Sequence, residues 1–166
     1  MSGYEHIVHT LPPVYDKNSR VLILGTMPSP KSRTSGFYYG HPQNRFWRVL
    51  STLFSEPLPA DNHEKTAFLL THRIALWDVL QSCDIRGASD ASIRNAQPND
   101  IAGLVQKTPV RAVFTTGQKA FTYYQKYCRP DISLPVHLLP STSAANAAYS
   151  FERLLNAYSV LLDYLL

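Results

Sequence analysis

The sequence predicts an α/β protein: a three-layer α/β/α sandwich with a mainly parallel central sheet of about four strands, formed by one domain over residues 1–166. A chain of 166 residues, 45% of them hydrophobic, has the size of a single domain with a real core. Short apolar runs alternate along it with segments of helical hydrophobic spacing, as expected when helices cover both faces of a parallel sheet.

The first half of the chain predicts a strand, a long loop and two helices. Val21–Gly25 is an apolar run closed by glycine, which is typical of a buried parallel strand. Residues 26–43 are rich in Pro, Ser and Gly without a hydrophobic period and predict a long irregular loop, and such loops are usually functional. Helical spacing predicts a helix over 44–54 with Asn44 as its N-cap, and a weaker helix over 65–72.

The second half of the chain alternates strands with helices. Apolar or β-branched segments predict three further strands, at 74–80, 110–115 and 134–139. Helices are predicted at 99–107, with Asn99 as N-cap, at 117–127, and from about residue 146 to the end. Residues 82–98 are polar and predict irregular structure. Ligands bind beyond the carboxyl ends of parallel strands, so we expect the site near Gly25 and Leu139.

Composition and charge exclude several classes of protein. No apolar run reaches the roughly 18–20 residues of a membrane-spanning helix. Glu5, His6 and His9 lie where a signal peptide would be apolar, which predicts an intracellular, cytoplasmic protein. Cys83 and Cys128 are too few for a disulfide framework, a four-cysteine zinc site or a four-cysteine iron–sulfur cluster. The formal charge of +4 and the pI of about 9.1 suit a polyanionic partner without requiring one.

The turn after the first strand is a candidate binding segment. Its hydroxyls and backbone N–H groups could hold a base edge, a phosphate or a water, although a glycine followed by prolines is also ordinary turn chemistry. It is neither a Walker loop, since the Gly-Lys-Ser/Thr ending is missing, nor a dinucleotide fingerprint. The candidate substrate-binding residues here are Gly25, Thr26, Met27, Pro28 and Ser29.

Residues 36–47 form the second and most specific candidate segment. The rings of Phe37, Tyr38 and Tyr39 could stack on a flipped base, and the amide of Asn44 could both donate and accept hydrogen bonds. Asn44 could also be only an N-cap. Basic residues are interleaved with these rings and would supply salt-dependent phosphate contacts, or be solvated surface charges. They are Lys31, Arg33, Arg45 and Arg48, which Arg153 on the last helix could supplement.

Small residues follow the strand that ends at Leu139. A loop of this kind can approach DNA closely because little side-chain bulk intervenes, and the alternative is a Ser/Thr capping segment. The candidate DNA-contacting residues of this loop are Ser141, Thr142, Ser143 and Ala144.

Three segments together resemble one family. They are the strand ending in Gly-Thr-Met-Pro-Ser, the aromatic-Gly-His-Pro-Gln-Asn-Arg-Phe-Trp segment and the Leu-Pro-Ser-Thr-Ser loop. In this order and spacing they resemble the uracil-DNA glycosylase superfamily, with the hypoxanthine-DNA glycosylases as the most similar branch. The resemblance runs from about Val21 to the final helix, and the run from His41 to Trp47 is its most specific part; a similar run occurs in mismatch-specific uracil and thymine glycosylases.

The resemblance implies the fold of that superfamily and a function in base excision repair. The partner would be DNA that carries a deaminated or mismatched base, and the activity would be hydrolytic excision of that flipped base, above all hypoxanthine. No metal and no organic cofactor is implied. The protein is expected to act as a monomer.

This chain departs from the superfamily pattern at two positions. Many members have a catalytic Asp or Asn two residues after the glycine of the first motif, where this chain has Met27, and their second motif begins with His or Asn where it has Leu139. The hypoxanthine branch implies that Asn44 takes the catalytic amide role and that Tyr39, two residues before His41, stacks on the extruded base. We also expect His41 to contact the substrate. Residues 141–143 match the loop of the family's second motif, which grips the DNA backbone.

A glycosidic bond breaks through an oxocarbenium-like sugar, for which paired carboxylates are the usual solution. No such pair lies inside a motif, and Asp16 and Asp78 are the nearest carboxylates in sequence. We therefore expect Asn44, with backbone carbonyls of residues 25–29, to orient a water at the sugar carbon. The alternatives are a mismatch-specific uracil or thymine glycosylase, a lesion-binding module without catalysis, and an unrelated α/β phosphohydrolase.

Overall fold

Two sheets form the framework of the protein, which the computed structural model describes over residues 3–87 and 89–165, with Asp90 described by its backbone alone. The strands in chain order are β1 (Glu5–Val8), β2 (Val21–Gly25), β3 (Ile74–Asp78), β4 (Leu80–Arg86), β5 (Ser89–Pro98), β6 (Ala112–Thr116) and β7 (Val136–Leu139). The helices are α1 (Pro30–Ser35), α2 (Phe46–Leu53), α3 (Asn62–Thr71), α4 (Ile101–Gln106), α5 (Gln118–Tyr127), α6 (Phe151–Tyr158) and α7 (Leu162–Leu165).

The central sheet has four parallel strands in the order β3-β2-β6-β7. Parallel pairing brings the carboxyl ends of the strands to one edge, where Gly25 pairs with Asp78 and Thr116 pairs with Leu139. The predicted fold class is confirmed, and the four predicted strands lie close to their predicted positions.

Both faces of the central sheet are covered. Alternate residues of β2 face opposite sides: Val21 and Ile23 belong to a core with residues of α2 and α6, whereas Leu22 and Leu24 belong to a core with residues of α4 and α5. All four side chains are completely buried. Two cores on opposite sides of one sheet make the three layers that the sequence predicts.

A short helix, α1, lies inside the segment 26–43, so the prediction of an irregular loop is wrong for this part. Ser29 caps the helix by accepting a hydrogen bond from the backbone N–H of Ser32, and Pro30 occupies its first turn. Gly36 ends it in the left-handed region at φ 78°. Ser32 is the buried residue of the helix, so no apolar stripe was present to reveal it.

The prediction of irregular structure for residues 82–98 is wrong for residues 82–86 and 89–98, which lie in the two strands of an antiparallel hairpin, and residue 88 is outside the described residues. Strand β4 pairs with β5 and also with β1, which gives a second sheet in the order β1-β4-β5. Register shifts interrupt the β4–β5 ladder, so the sequence loses the strict alternation by which a strand is recognised.

The helix starts near Asn99 and in the C-terminal segment also differ from prediction. Asp100 caps α4, because the side chain of Asn99 instead donates to the backbone carbonyls of Asp78 and Leu80. The last helical segment begins at Phe151 rather than near residue 146, with the Ser150 side chain as its cap. The segment between β7 and α6 is therefore a longer loop than expected.

Within the described part of the chain, no helix is both long and apolar enough to cross a bilayer. Over the same residues, no three His, Cys, Asp or Glu side chains come together in a group that could hold a metal ion.

Candidate functional site

A cavity of about 470 Å³ opens at the carboxyl ends of the central strands, a size within the roughly 300–1,000 Å³ of small-ligand sites. Its walls are the turn after β2, the segment leading into α2, the loop after β7, and the tip of the β4–β5 hairpin. The predicted site residues that line it are Gly25, Thr26, Met27, Pro28, Ser29, Arg33, Tyr39, His41, Asn44, Ser141, Thr142, Ser143 and Ala144. The three segments predicted to form the site thus meet as expected, the third of them from near the end of the chain.

The turn after β2 is fixed by the connection between β3 and β4. The backbone carbonyl of Gly25 accepts from the N–H of Val79 at 2.8 Å, and that of Thr26 accepts from the N–H of Leu80 at 3.1 Å. The Ser29 carbonyl accepts from an N–H within α1. Each of these three carbonyls retains a second lone pair, so their role in orienting a water stays a prediction.

Gly25 lies where no side chain fits. A Cβ at this position would lie 2.5 Å from Asp78 Oδ1 and 3.1 Å from the Tyr39 hydroxyl. Neither neighbour can move freely, because a hydrogen bond to His9 holds the carboxylate and a hydrogen bond to Thr116 holds the hydroxyl. The glycine is therefore required for close approach rather than for backbone conformation.

Gly25→Ala is expected to lower the free energy of unfolding by about 1–3 kcal/mol, because the added methyl group overpacks a rigid site. Chemical denaturation of the two proteins measures the difference. Gly87→Ala is the control: among the described residues, its chain neighbours aside, no atom lies within 4 Å of a Cβ placed there, so only the positive φ of 64° adds cost. Wild-type stability of Gly25→Ala would contradict the rigidity of the Asp78 carboxylate.

Tyr39 is held as a rigid wall of the cavity. Its ring stacks on Phe46 with centroids 3.9 Å apart and an interplanar angle of 12°. Its hydroxyl is hydrogen-bonded to Thr116 Oγ1 at 2.9 Å, and its backbone lies in the left-handed region at φ 54°. Burial raises the pKa of this hydroxyl well above its ordinary value, with a further contribution from the Asp78 carboxylate, so it stays neutral. A fixed neutral ring with one face already stacked suits a flat ligand.

Asn44 contributes an amide whose orientation is set by its partners. Arg45 occupies the N-cap position of α2, but it is the Asn44 Oδ1 that accepts from the backbone N–H of Phe46, at 2.9 Å. The same Oδ1 lies 2.8 Å from Thr142 Oγ1. Because a backbone N–H can only donate, the atom that faces it is oxygen. The amide is therefore left with N–H donors, not an acceptor, for a ligand.

Arg45 joins the start of α2 to the loop after β7. Its guanidinium donates to the backbone carbonyls of Ser143 at 3.0 Å, Asn146 at 3.1 Å, and Tyr149. Its own backbone N–H donates to the Thr142 carbonyl at 3.0 Å. Both terminal nitrogens are thus used inside the protein, which favours a structural role over the phosphate contact predicted for Arg45.

The remaining basic residues differ in position. Arg33 lines the cavity and is half-buried, whereas Lys31 and Arg48 are exposed and outside its lining. Arg153 stacks on the Tyr149 ring, with Cζ 4.2 Å from the ring centroid, and donates to a loop carbonyl. Phosphate contacts of these residues stay predictions.

Asp78 is a cavity residue outside every motif in the sequence. Its Oδ2 lies 2.8 Å from His9 Nε2, and the side chains of Asp78 and His9 are only 5% and 2% exposed. Its Oδ1 lies against Gly25 at the cavity. No other Asp or Glu of the described residues lines the cavity. Asp78 ends β3 and falls within the predicted strand 74–80, so the rule that ligands bind at strand ends could have found it with a more accurate strand end, whereas nothing local in the sequence marks His9.

The sequence profile of the uracil DNA glycosylase superfamily matches residues 12–162. A curated protein of Methanosarcina acetivorans named hypoxanthine DNA glycosylase is 37% identical over 144 residues, which cover 86% of this chain and 90% of that protein. A protein of the same name from Methanosarcina barkeri is 35% identical over 114 residues, 68% of this chain and 72% of that one. A solution NMR structure of a candidate uracil DNA glycosylase from Methanosarcina acetivorans is similar with a TM-score of 0.78 and 31% identity, covering 93% of this chain and 98% of that one.

Proposed function

Since the chain belongs to the uracil DNA glycosylase superfamily, we propose that it is a DNA glycosylase that hydrolyses the N-glycosidic bond of a deaminated base, above all hypoxanthine, in base excision repair. The observation that carries the proposal is the cavity at the strand ends, which combines a fixed aromatic wall, Tyr39, with an oriented amide, Asn44. Met27 occupies the position where many members of the superfamily have a catalytic Asp or Asn, and its side chain cannot activate a water. The catalytic role is therefore assigned to the amide of Asn44.

Base recognition is assigned to Asp78. Hypoxanthine differs from adenine by a carbonyl at C6 and an N–H at N1, so deamination turns an acceptor into a donor at N1. A carboxylate oxygen accepts hydrogen bonds, and Asp78 Oδ1 lies beside Gly25 at the cavity while its Oδ2 is hydrogen-bonded to His9. Asp78 would thus accept the N1–H of hypoxanthine and disfavour adenine. Tyr39 would stack on the extruded ring.

Bond cleavage is assigned to Asn44 and water. The water oxygen bonds to the sugar C1′ while the C–N bond breaks and its electron pair leaves with the base. The proton that the water loses ends on the departing base anion, which gives an abasic sugar and the neutral free base. Negative charge on the departing purine is stabilised by N–H donors, and Asn44 retains such donors after its Oδ1 is engaged.

Contacts with the DNA backbone are assigned to other residues. Arg33 at the cavity, together with Lys31, would contact phosphates, and Ala144 would let the backbone approach the duplex. That the protein is intracellular and that it acts as a monomer both stay predictions.

The test is release of bases from a panel of duplexes that carry hypoxanthine, uracil, xanthine or a T·G mismatch, followed by alkali to break the strand at abasic sites. We expect the strongest cleavage at hypoxanthine and none in a matched duplex with adenine at that position. Faster release of uracil or mismatched thymine would favour the mismatch-specific alternative. Tight binding without any release would instead favour a lesion-binding module.

A further inference from the structure

We infer that Thr142 is a positioning residue, which sets the orientation of the Asn44 amide rather than gripping DNA. The inference rests on the catalytic role proposed for Asn44. It changes the assignment of Thr142, which the sequence placed with the DNA-contacting residues of the loop after β7.

The hydroxyl of Thr142 is committed to Asn44. Its oxygen lies 2.8 Å from Asn44 Oδ1, and because an amide oxygen only accepts, the threonine hydroxyl donates. The other donor to this oxygen is the backbone N–H of Phe46. Two donors from different directions occupy both lone pairs of Oδ1, so the amide plane has one favoured orientation.

Thr142 is poorly placed for contact with DNA. It is 1% exposed, whereas Ala144 and Ala145, farther along the same loop, are exposed. Its carbonyl is also engaged, as acceptor for the backbone N–H of Arg45. Arg45, which follows Asn44, is therefore hydrogen-bonded to Thr142, which orients Asn44. This bond joins the start of α2 to the loop after β7.

Loss of the Thr142 hydroxyl would leave the amide held by the Phe46 N–H alone. A rotation about that bond displaces the free N–H groups from the departing base. Small misplacements of a catalytic group of about 1 Å cost about 10²-fold in rate. Thr142→Val, which has the same shape but no donor, is therefore expected to slow base release by roughly 10–100-fold.

The experiment compares Thr142→Val, Thr142→Ser, Asn44→Ala and the double variant Thr142→Val/Asn44→Ala. Single-turnover release from a hypoxanthine duplex gives the rate of chemistry. Binding to a duplex that carries 2′-fluoro-substituted deoxyinosine, which resists cleavage, gives the affinity, and thermal melting checks the fold of each variant.

We expect Thr142→Val to lower the rate with little change in affinity, Thr142→Ser to restore it because the hydroxyl returns, and Thr142→Val to have no further effect once Asn44 is alanine. A wild-type rate in Thr142→Val, an equal loss in the Asn44→Ala background, or weakened DNA binding would each overturn the inference while leaving the proposed function intact. If Asn44→Ala itself releases base at the wild-type rate, the catalytic role of Asn44 fails instead, and the inference with it.

Discussion

Asn44→Ala is expected to lower the single-turnover rate of hypoxanthine release by about 10²–10³-fold, the usual cost of removing one oriented donor from a transition state. The affinity for the lesion duplex is expected to change little, because binding energy comes mainly from phosphate contacts and the stacked base. The loss would therefore appear in the chemical step rather than in DNA affinity.

Two comparisons sharpen this measurement. Asn18→Ala removes an exposed asparagine outside the cavity and is the matched control. Asn44→Asp keeps an acceptor toward Phe46 but lacks N–H donors, so it is expected to be as slow as alanine. If aspartate restores the rate, Asn44 acts by accepting from water, and its assignment as a donor is wrong.

Asp78→Asn is expected to lower hypoxanthine release by roughly 10²–10⁴-fold, because a site built to hydrogen-bond one edge rejects the wrong partner strongly. The His9 N–H would still bond to the amide oxygen of the new residue, which turns its NH₂ group toward the cavity in place of Oδ1. A donor would then face the N1–H of hypoxanthine. Discrimination against adenine would weaken for the same reason, since adenine N1 accepts.

Release from hypoxanthine duplexes and from duplexes with mismatched adenine gives the specificity ratio. Asp84→Asn is the matched control, because Asp84 also accepts from a histidine, His6, at 2.8 Å but lies outside the cavity lining. Burial distinguishes the two pairs, since the His6 side chain is 64% exposed. An unchanged ratio in Asp78→Asn would remove Asp78 from base recognition.

The sequence predicted the central sheet well because each parallel strand is a continuous apolar run, a signal that needs no knowledge of distant contacts. The β4–β5 hairpin escaped prediction because its register shifts break the alternation of a regular strand. Helix α1 escaped because it is held by caps rather than by an apolar stripe.

For the candidate site, the motifs predicted which segments converge, and the cavity lining agrees with most of the residues named. What local patterns could not give is the partner of each side chain. Arg45 looks like a phosphate ligand in sequence, but its carbonyl acceptors lie about a hundred positions away in the chain, between 98 and 104 residues on. The His9–Asp78 pair is separated by 69 positions and lies outside every motif.

The carbonyl contacts of Arg45 have a consequence for the kinetics of lesion search. Because the Arg45 guanidinium fastens the loop after β7 through bonds within the protein, we expect the conformational entropy of that loop to be lost during folding rather than at encounter with DNA. A loop that is already ordered adds no slow rearrangement after collision. We therefore expect the association rate to be governed by electrostatic steering of a protein of net charge +4 toward a polyanion, and to fall as ionic strength rises.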